Sequence, residues 1–346
     1  MTQAFRRVKR DLQPLLPTTA ESVHPWLDNF DFGSVQPKTN LELLVNDSEN
    51  KIVMFSSKIG LEFLADAEHV LGDGTFRYCP KQFYQIYTFH AYGANEVYVP
   101  CAYFLLPNKT QATYTLMLEY LQKKSSRLGV AFVPATFHVD LEVAMINSIR
   151  QRHPYAKVSL CHFHLSQSWF KMIQKKGLAT QYAKKTSPVG NWLRMVFGMP
   201  ALPATEVGDF FFNVLKNIEP DASVAEFADY LEKCYIKDDS TYPPDMWSDV
   251  GEGVTTTNAC ESFHRGLEYR FAHTHPNIWE FIMALHAEQH KAELKIRTDK
   301  KLYVKKNKRQ VQENKKLIKQ NYMNGRITQY DFVKAMCFKL LPVQIL

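Results

Sequence analysis

Three consecutive runs rich in β-branched and aromatic residues, HVLGDGTFRYC, QFYQIYTFHAYG and EVYVPCAYFLL, fill residues 69–106 and are parted by the turn signals CPK and GAN. Such runs, bounded by turn formers, predict a three-stranded antiparallel meander. Beyond residue 107 helical and strand patterns alternate. Apolar residues Tyr114, Met117, Leu118 and Leu121 mark a helix over 110–128, closed by Gly129. FVPATFHVD at 132–140 then predicts a buried strand, LEVAMINSIRQRHP a helix ended by Pro154, and AKVSLCHFH a further strand. The order β-β-β-α-β-α-β therefore predicts an α/β fold with a mixed sheet.

The flanks are simpler. Residues 1–45 carry Pro14, Pro17, Pro25 and Pro37 and show no sustained period, with one short strand expected near Leu41–Val45. KIVMFSS at 51–57 predicts a strand and 58–70 a helix. Residues 164–250 hold helical apolar stretches and almost no strand signal; 255–271 begin with a capping pattern and continue as a helix; 277–320 are a long, increasingly basic helical run. The expected division is 1–66 as lead-in, 67–165 with 251–275 as an α/β core, 166–250 as a helical insertion and 276–346 as a basic helical region.

Composition excludes several classes. With 45% hydrophobic and 22% charged residues over 346 positions, the chain is globular rather than disordered or low-complexity. No apolar run approaches the ~18 residues that span a bilayer, and the basic start leads into Asp11 and two prolines, so neither membrane insertion nor secretion is expected. Six scattered cysteines without a CxxC pair fit a reducing compartment. The net charge of +7 is concentrated: residues 291–320 carry 12 Lys/Arg against three acids. That segment suits a polyanion partner or a nuclear-import signal such as KKNKR, with Lys305, Lys306, Lys308 and Arg309 as backbone-contacting candidates. A solvated helix face explains the same charges.

Three carboxylates stand out. Asp73 lies at the end of a strand before Gly74, and Asp140 ends the strand ATFHVD just before a helix, places where α/β proteins build sites. Glu261 stands three residues after Asn258, as in a capping box. Each has an ordinary structural explanation: a turn, an N-cap, a capping box. Together they suit hard divalent cations. Two Mg²⁺ or Mn²⁺ ions could activate a water or 3′-hydroxyl and stabilise the leaving oxygen of a phosphoryl displacement. Cys161 and His164 admit other readings, as a core thiol, as half of a zinc site lacking a second pair, or as a thiol- or zinc-dependent hydrolase centre. His164 could instead contact a scissile phosphate.

Taken in order, these motifs resemble the transposase domain of Mutator-like elements (MULE) from about residue 50 to about 270. The matching pieces are VLGDGTFRYCPKQFYQIYTFHA, VPCAYFLLPNKTQATYTLMLEYL, FHVDLEVAMINSIRQRHP, CHFHLSQSWFKMI and TTTNACESFHRGL. The resemblance implies an RNase H-like core with a helical insertion and Asp73, Asp140 and Glu261 as metal-holding DDE carboxylates. It also implies Cys161 and His164 as a signature pair, His164 acting near the cut, and Trp247 as the aromatic preceding the glutamate. DNA transposition in the nucleus, with self-association on DNA, is the expected activity. Residues 1–60 contain no cysteine and do not supply the zinc-binding recognition module such transposases usually carry. That leaves a catalytically silent or host-recruited DNA- or chromatin-binding derivative as the alternative.

Overall fold

The computed structural model describes residues 15–34, 39–93, 98–184, 186–220, 222–249, 258–271, 273–298 and 306–340. The elements begin with α1 (Ala20–Asp28), β1 (Glu42–Asp47), β2 (Ile52–Ser56), α2 (Lys58–Ala65), β3 (His69–Thr75), β4 (Gln85–Tyr92) and β5 (Tyr98–Leu106). Next come α3 (Gln111–Arg127), β6 (Thr136–Val139), α4 (Val143–Arg152), β7 (Lys157–Leu160) and α5 (His162–Lys175). The helices α6 (Ala179–Ala183), α7 (Pro188–Val196), α8 (Ala204–Asp209) and α9 (Ala225–Leu231) precede α10 (Asn258–Glu268), α11 (Ile278–Thr298), α12 (Lys306–Met323) and α13 (Gln329–Leu340). The chain is α/β with a seven-stranded mixed sheet, and the β-β-β-α-β-α-β succession from β3 to β7 is as expected. It divides into two compact units, Met1–Ala135 with Asn147–Ala156 and Asn258–Lys301, and Thr136–Ile146 with Lys157–Thr257 and Leu302–Leu346.

In the first unit the strands run β1-β2-β5-β4-β3, every neighbour antiparallel. Strands β1 and β2 extend the meander through β5, so residues 42–56 share its sheet. Side chains alternate across a strand, and this parity sorts the unit. On β4, Gln85 and Tyr87 meet Tyr114 of α3, whereas Ile86 joins a buried cluster with Phe55, Tyr103, Leu105, Phe263, Phe281 and Leu285. Helices α1, α10 and α11 thus close one face, and α3 lies on the other. Gln289 of α11 donates to Ser57 Oγ at 2.8 Å, and Glu293 accepts from the backbone of Asn40, which ties the approach to β1 onto α11.

The sequence GDG at 72–74 is not a turn. Asp73 and Gly74 are paired within β3, to Thr88 and Tyr87 of β4. The glycines serve packing: a Cβ on Gly72 would stand 2.7 Å from Tyr87 Oη, and one on Gly74 2.6 Å from Gln85 Oε1. Their bareness admits two large neighbours on the α3 face while Asp73 points the other way.

In the second unit β6 and β7 pair in parallel. The expected strand 132–140 is shorter, and that at 156–164 ends at Leu160. The apolar spacing Leu165, Trp169, Ile173 continues back to the buried His162, so the helical period takes over directly after the strand, with Cys161 as N-cap. Between residues 166 and 249, the stretch read from sequence as an insertion, the described residues are helices and turns. Trp169 sits at its centre, edge-on to Phe197, Tyr235 and Trp247 at 5.5–5.8 Å. The expected basic run is carried by α11 and α12, with 299–305 outside the described residues.

His162 makes stability pH-dependent. Its ring is buried and its Nε2 has no hydrogen-bond partner among the described residues. Burial, then the nearby Lys315 charge, lowers its pKa from 6.5 to about 4. The unfolded chain therefore takes up this proton first on acidification, so stability falls as pH drops from about 6.5 to about 4. His162 alone contributes a loss of roughly 3 kcal/mol over that window, and denaturant unfolding at pH 7 and pH 4 should show a smaller loss in His162→Leu than in the wild type.

Candidate active site

Asp73 is a buried carboxylate of the first unit, 6% exposed. Strand parity aims it at α10. Its Oδ1 accepts from the backbone N–H of Gly74 at 2.9 Å, and its Oδ2 lies 3.5 Å from His264 Nδ1. His264 Nε2 is in turn 3.4 Å from the hydroxyl of Thr88, and that hydroxyl is 3.2 Å from His90 Nε2. Burial, then the His264 and Lys295 charges, holds His90 well below the usual imidazole range, so it stays neutral. A row of polar groups thus runs from Asp73 across β4 inside an apolar wall.

Glu261 opens the same α10, one turn before His264. The side chains of Asn258 and Glu261 lie outside the described residues, and the expected capping box with them. Packing of α10 on β3, β4 and β5 nevertheless puts the glutamate-bearing helix against the strand of Asp73. His264, Thr88 and His90 were not singled out from sequence. The signal was there: Thr88 and His90 are polar at i and i+2 on the face of β4 opposite Gln85 and Tyr87, and His264 follows Glu261 by three.

Asp140 belongs to the second unit. It is half-buried after β6, and its Oδ1 accepts from the backbone N–H of Glu142 at 3.3 Å, so it caps the approach to α4. Cys161 is buried, and its backbone N–H donates to the Val139 carbonyl at 2.7 Å. His164 lies in the first turn of α5, not at a strand exit. A thiol so enclosed is a core residue first, which weighs against its use as a nucleophile. Trp247 is also interior: its Nε1 donates to the Tyr242 carbonyl at 2.9 Å. Lys305 is outside the described residues, and Lys306, Lys308 and Arg309 begin α12 with side chains outside them.

The donor chemistry suits hard divalent ions. Asp73 offers carboxylate oxygens in a buried setting with His264 Nδ1 3.5 Å from its Oδ2, and the carboxylates of Asp140 and Glu261 are oxygen donors of the same kind. Among the described residues no group of three His, Cys, Asp or Glu is gathered as a metal site; Glu261's side chain is not among those residues.

Fold and residues together define an α/β protein with one acidic side chain buried within strand β3 and another just after β6. Residues 69–168 match the family model of the MULE transposase domain, and that family implies the DDE, RNase H-like superfamily. The matched stretch runs from β3 into α5, includes Asp73, Asp140, Cys161 and His164, and ends before Glu261. No curated protein matches the chain. A MULE transposase domain suggests transposase function, with DNA as partner in general. No helix among the described residues is long and apolar enough to cross a membrane.

Proposed function

We propose that this chain is a DDE-type DNA strand transferase in which Asp73, Asp140 and Glu261 hold divalent ions. The observation that carries the reading is Asp73, a buried carboxylate within the matched stretch, facing the helix on which Glu261 lies. Bound Mg²⁺ or Mn²⁺, two ions in this reading, would supply Lewis acidity toward a phosphoryl oxygen and a lowered pKa for an attacking water or 3′-hydroxyl. The chain's own part is orientation. The N–H of Gly74 fixes one oxygen of Asp73, His264 flanks the other, and the N–H of Glu142 fixes one oxygen of Asp140. His164 is assigned to DNA beside the cut, and Lys305, Lys306, Lys308 and Arg309 to the phosphate backbone, an arrangement that makes binding strongly salt-dependent. The work is nuclear, and chains associate on DNA.

The test is nicking of supercoiled plasmid by the purified protein. Relaxed circles are expected in Mn²⁺ or Mg²⁺ and none in EDTA. Salt-dependent DNA binding with no nicking in any divalent ion would overturn the reading in favour of a silent, recruited derivative.

A further inference from the structure

The residues flanking Asp140 are held from two directions within the second unit. On one side, the Val139 carbonyl accepts from the Cys161 N–H at 2.7 Å. On the other, the Leu141 carbonyl accepts from the phenol of Tyr242 at 2.6 Å. Tyr242 comes from the helical insertion, 101 positions along the chain and beyond the stretch matched to the family.

Tyr242 is itself fixed at every polar point. Its N–H donates to the Cys234 carbonyl at 3.0 Å, its carbonyl accepts from Trp247 Nε1 at 2.9 Å, and its ring stacks on Tyr235 at 5.4 Å and 25°. Trp247 packs edge-on to Trp169 at the insertion's centre. The hydroxyl therefore reaches Leu141 from a rigid base, and a short hydrogen bond from such a base restrains the peptide it meets. Burial, then the charge of Asp140, raises the Tyr242 pKa, so the phenol remains a donor at neutral pH.

We infer that Tyr242 is a positioning residue for Asp140: its hydroxyl, held by the insertion core, locks the Asp140–Leu141 loop so that the carboxylate is presented to a divalent ion in one orientation. The inference rests on the reading of Asp140 as a metal ligand. Groups that orient a ligand from behind typically cost 10–100-fold in metal affinity or activity when removed.

The experiment compares the wild type with Tyr242→Phe, Tyr235→Phe and Asp140→Asn in two readouts, the Mn²⁺ concentration that half-saturates the rise in melting temperature and the rate of plasmid nicking. Tyr242→Phe keeps the ring on Tyr235 and removes only the hydroxyl. It is expected to raise the Mn²⁺ midpoint about tenfold and slow nicking about tenfold. Tyr235→Phe takes a hydroxyl from the neighbouring Ser168 and Tyr230 cluster without touching Leu141, and is expected to leave both readouts unchanged. Asp140→Asn is expected to abolish both. A Tyr242→Phe protein with the wild-type midpoint and rate, beside an inactive Asp140→Asn, overturns the inference alone. Equal losses in both Tyr variants also overturn it, since the effect would then be general loosening of the insertion. An Asp140→Asn protein that keeps both readouts overturns the parent reading, and the inference falls with it.

Discussion

Asp73→Asn is expected to slow divalent-dependent nicking by about a thousandfold, equivalent to roughly 4 kcal/mol of barrier, while melting no lower than the wild type in metal-free buffer. The two halves of this expectation have one cause. A carboxylate 6% exposed gives up hydration when the protein folds, and the hydrogen bond from Gly74 and the flanking His264 offset part of that cost. Asparagine keeps the shape and an oxygen for the Gly74 N–H, yet carries no charge to bury. Stability is therefore retained or improved, and the negative charge that would neutralise a cation is gone. This is the exchange between stability and activity common at functional sites. A single-turnover nicking assay with a thermal melt in EDTA checks both halves. A variant that nicks at more than a tenth of the wild-type rate would remove Asp73 from the site.

Trp169→Ala is expected to destabilise the second unit by about 3–5 kcal/mol, the range for emptying a large aromatic from a core. Trp169 is fully buried and meets Phe197, Tyr235 and Trp247 edge-on, so its loss opens one side of all three rings at once. Rings held by several partners collapse poorly into a void, which favours the upper half of the range. Trp169→Phe should cost far less, about 1 kcal/mol, because the indole N–H it deletes has no hydrogen-bond partner among the described residues. Urea unfolding of the three proteins gives the ordering directly. A loss below about 1.5 kcal/mol for the alanine variant would mean that the insertion repacks freely.

The meander was legible because each strand carries its own alternation and its own turn signals, information held within about ten residues. Helix α5 begins at His162, inside the stretch expected as strand, because Cys161-His162-Phe163-His164 alternates like a strand, and only the apolar spacing further on, at Leu165, Trp169 and Ile173, reveals the helical period. GDG resembles a turn for a related reason. Its glycines are required by Tyr87 and Gln85 on the next strand, and a neighbour across a sheet leaves no mark in local sequence. Asp73 was found by its motif, whereas the His264, Thr88 and His90 row needed strand parity and the packing of α10 before it had any meaning. Tyr242 could not have been tied to Asp140 from sequence, because nothing in a chain of this length marks which of its 17 tyrosines lies beside Leu141.

The bond between Tyr242 and Leu141 also has a place in time. Closing a loop of 101 residues costs more chain entropy than closing the local turns of the meander, so such a contact forms after the shorter ones it depends on. On a ribosome Asp140 emerges about a hundred residues before Tyr242. A nascent chain, or one cut short before residue 242, carries the aspartate without this restraint on its neighbour Leu141. The bond that Tyr242 makes beside Asp140 is therefore a late product of folding.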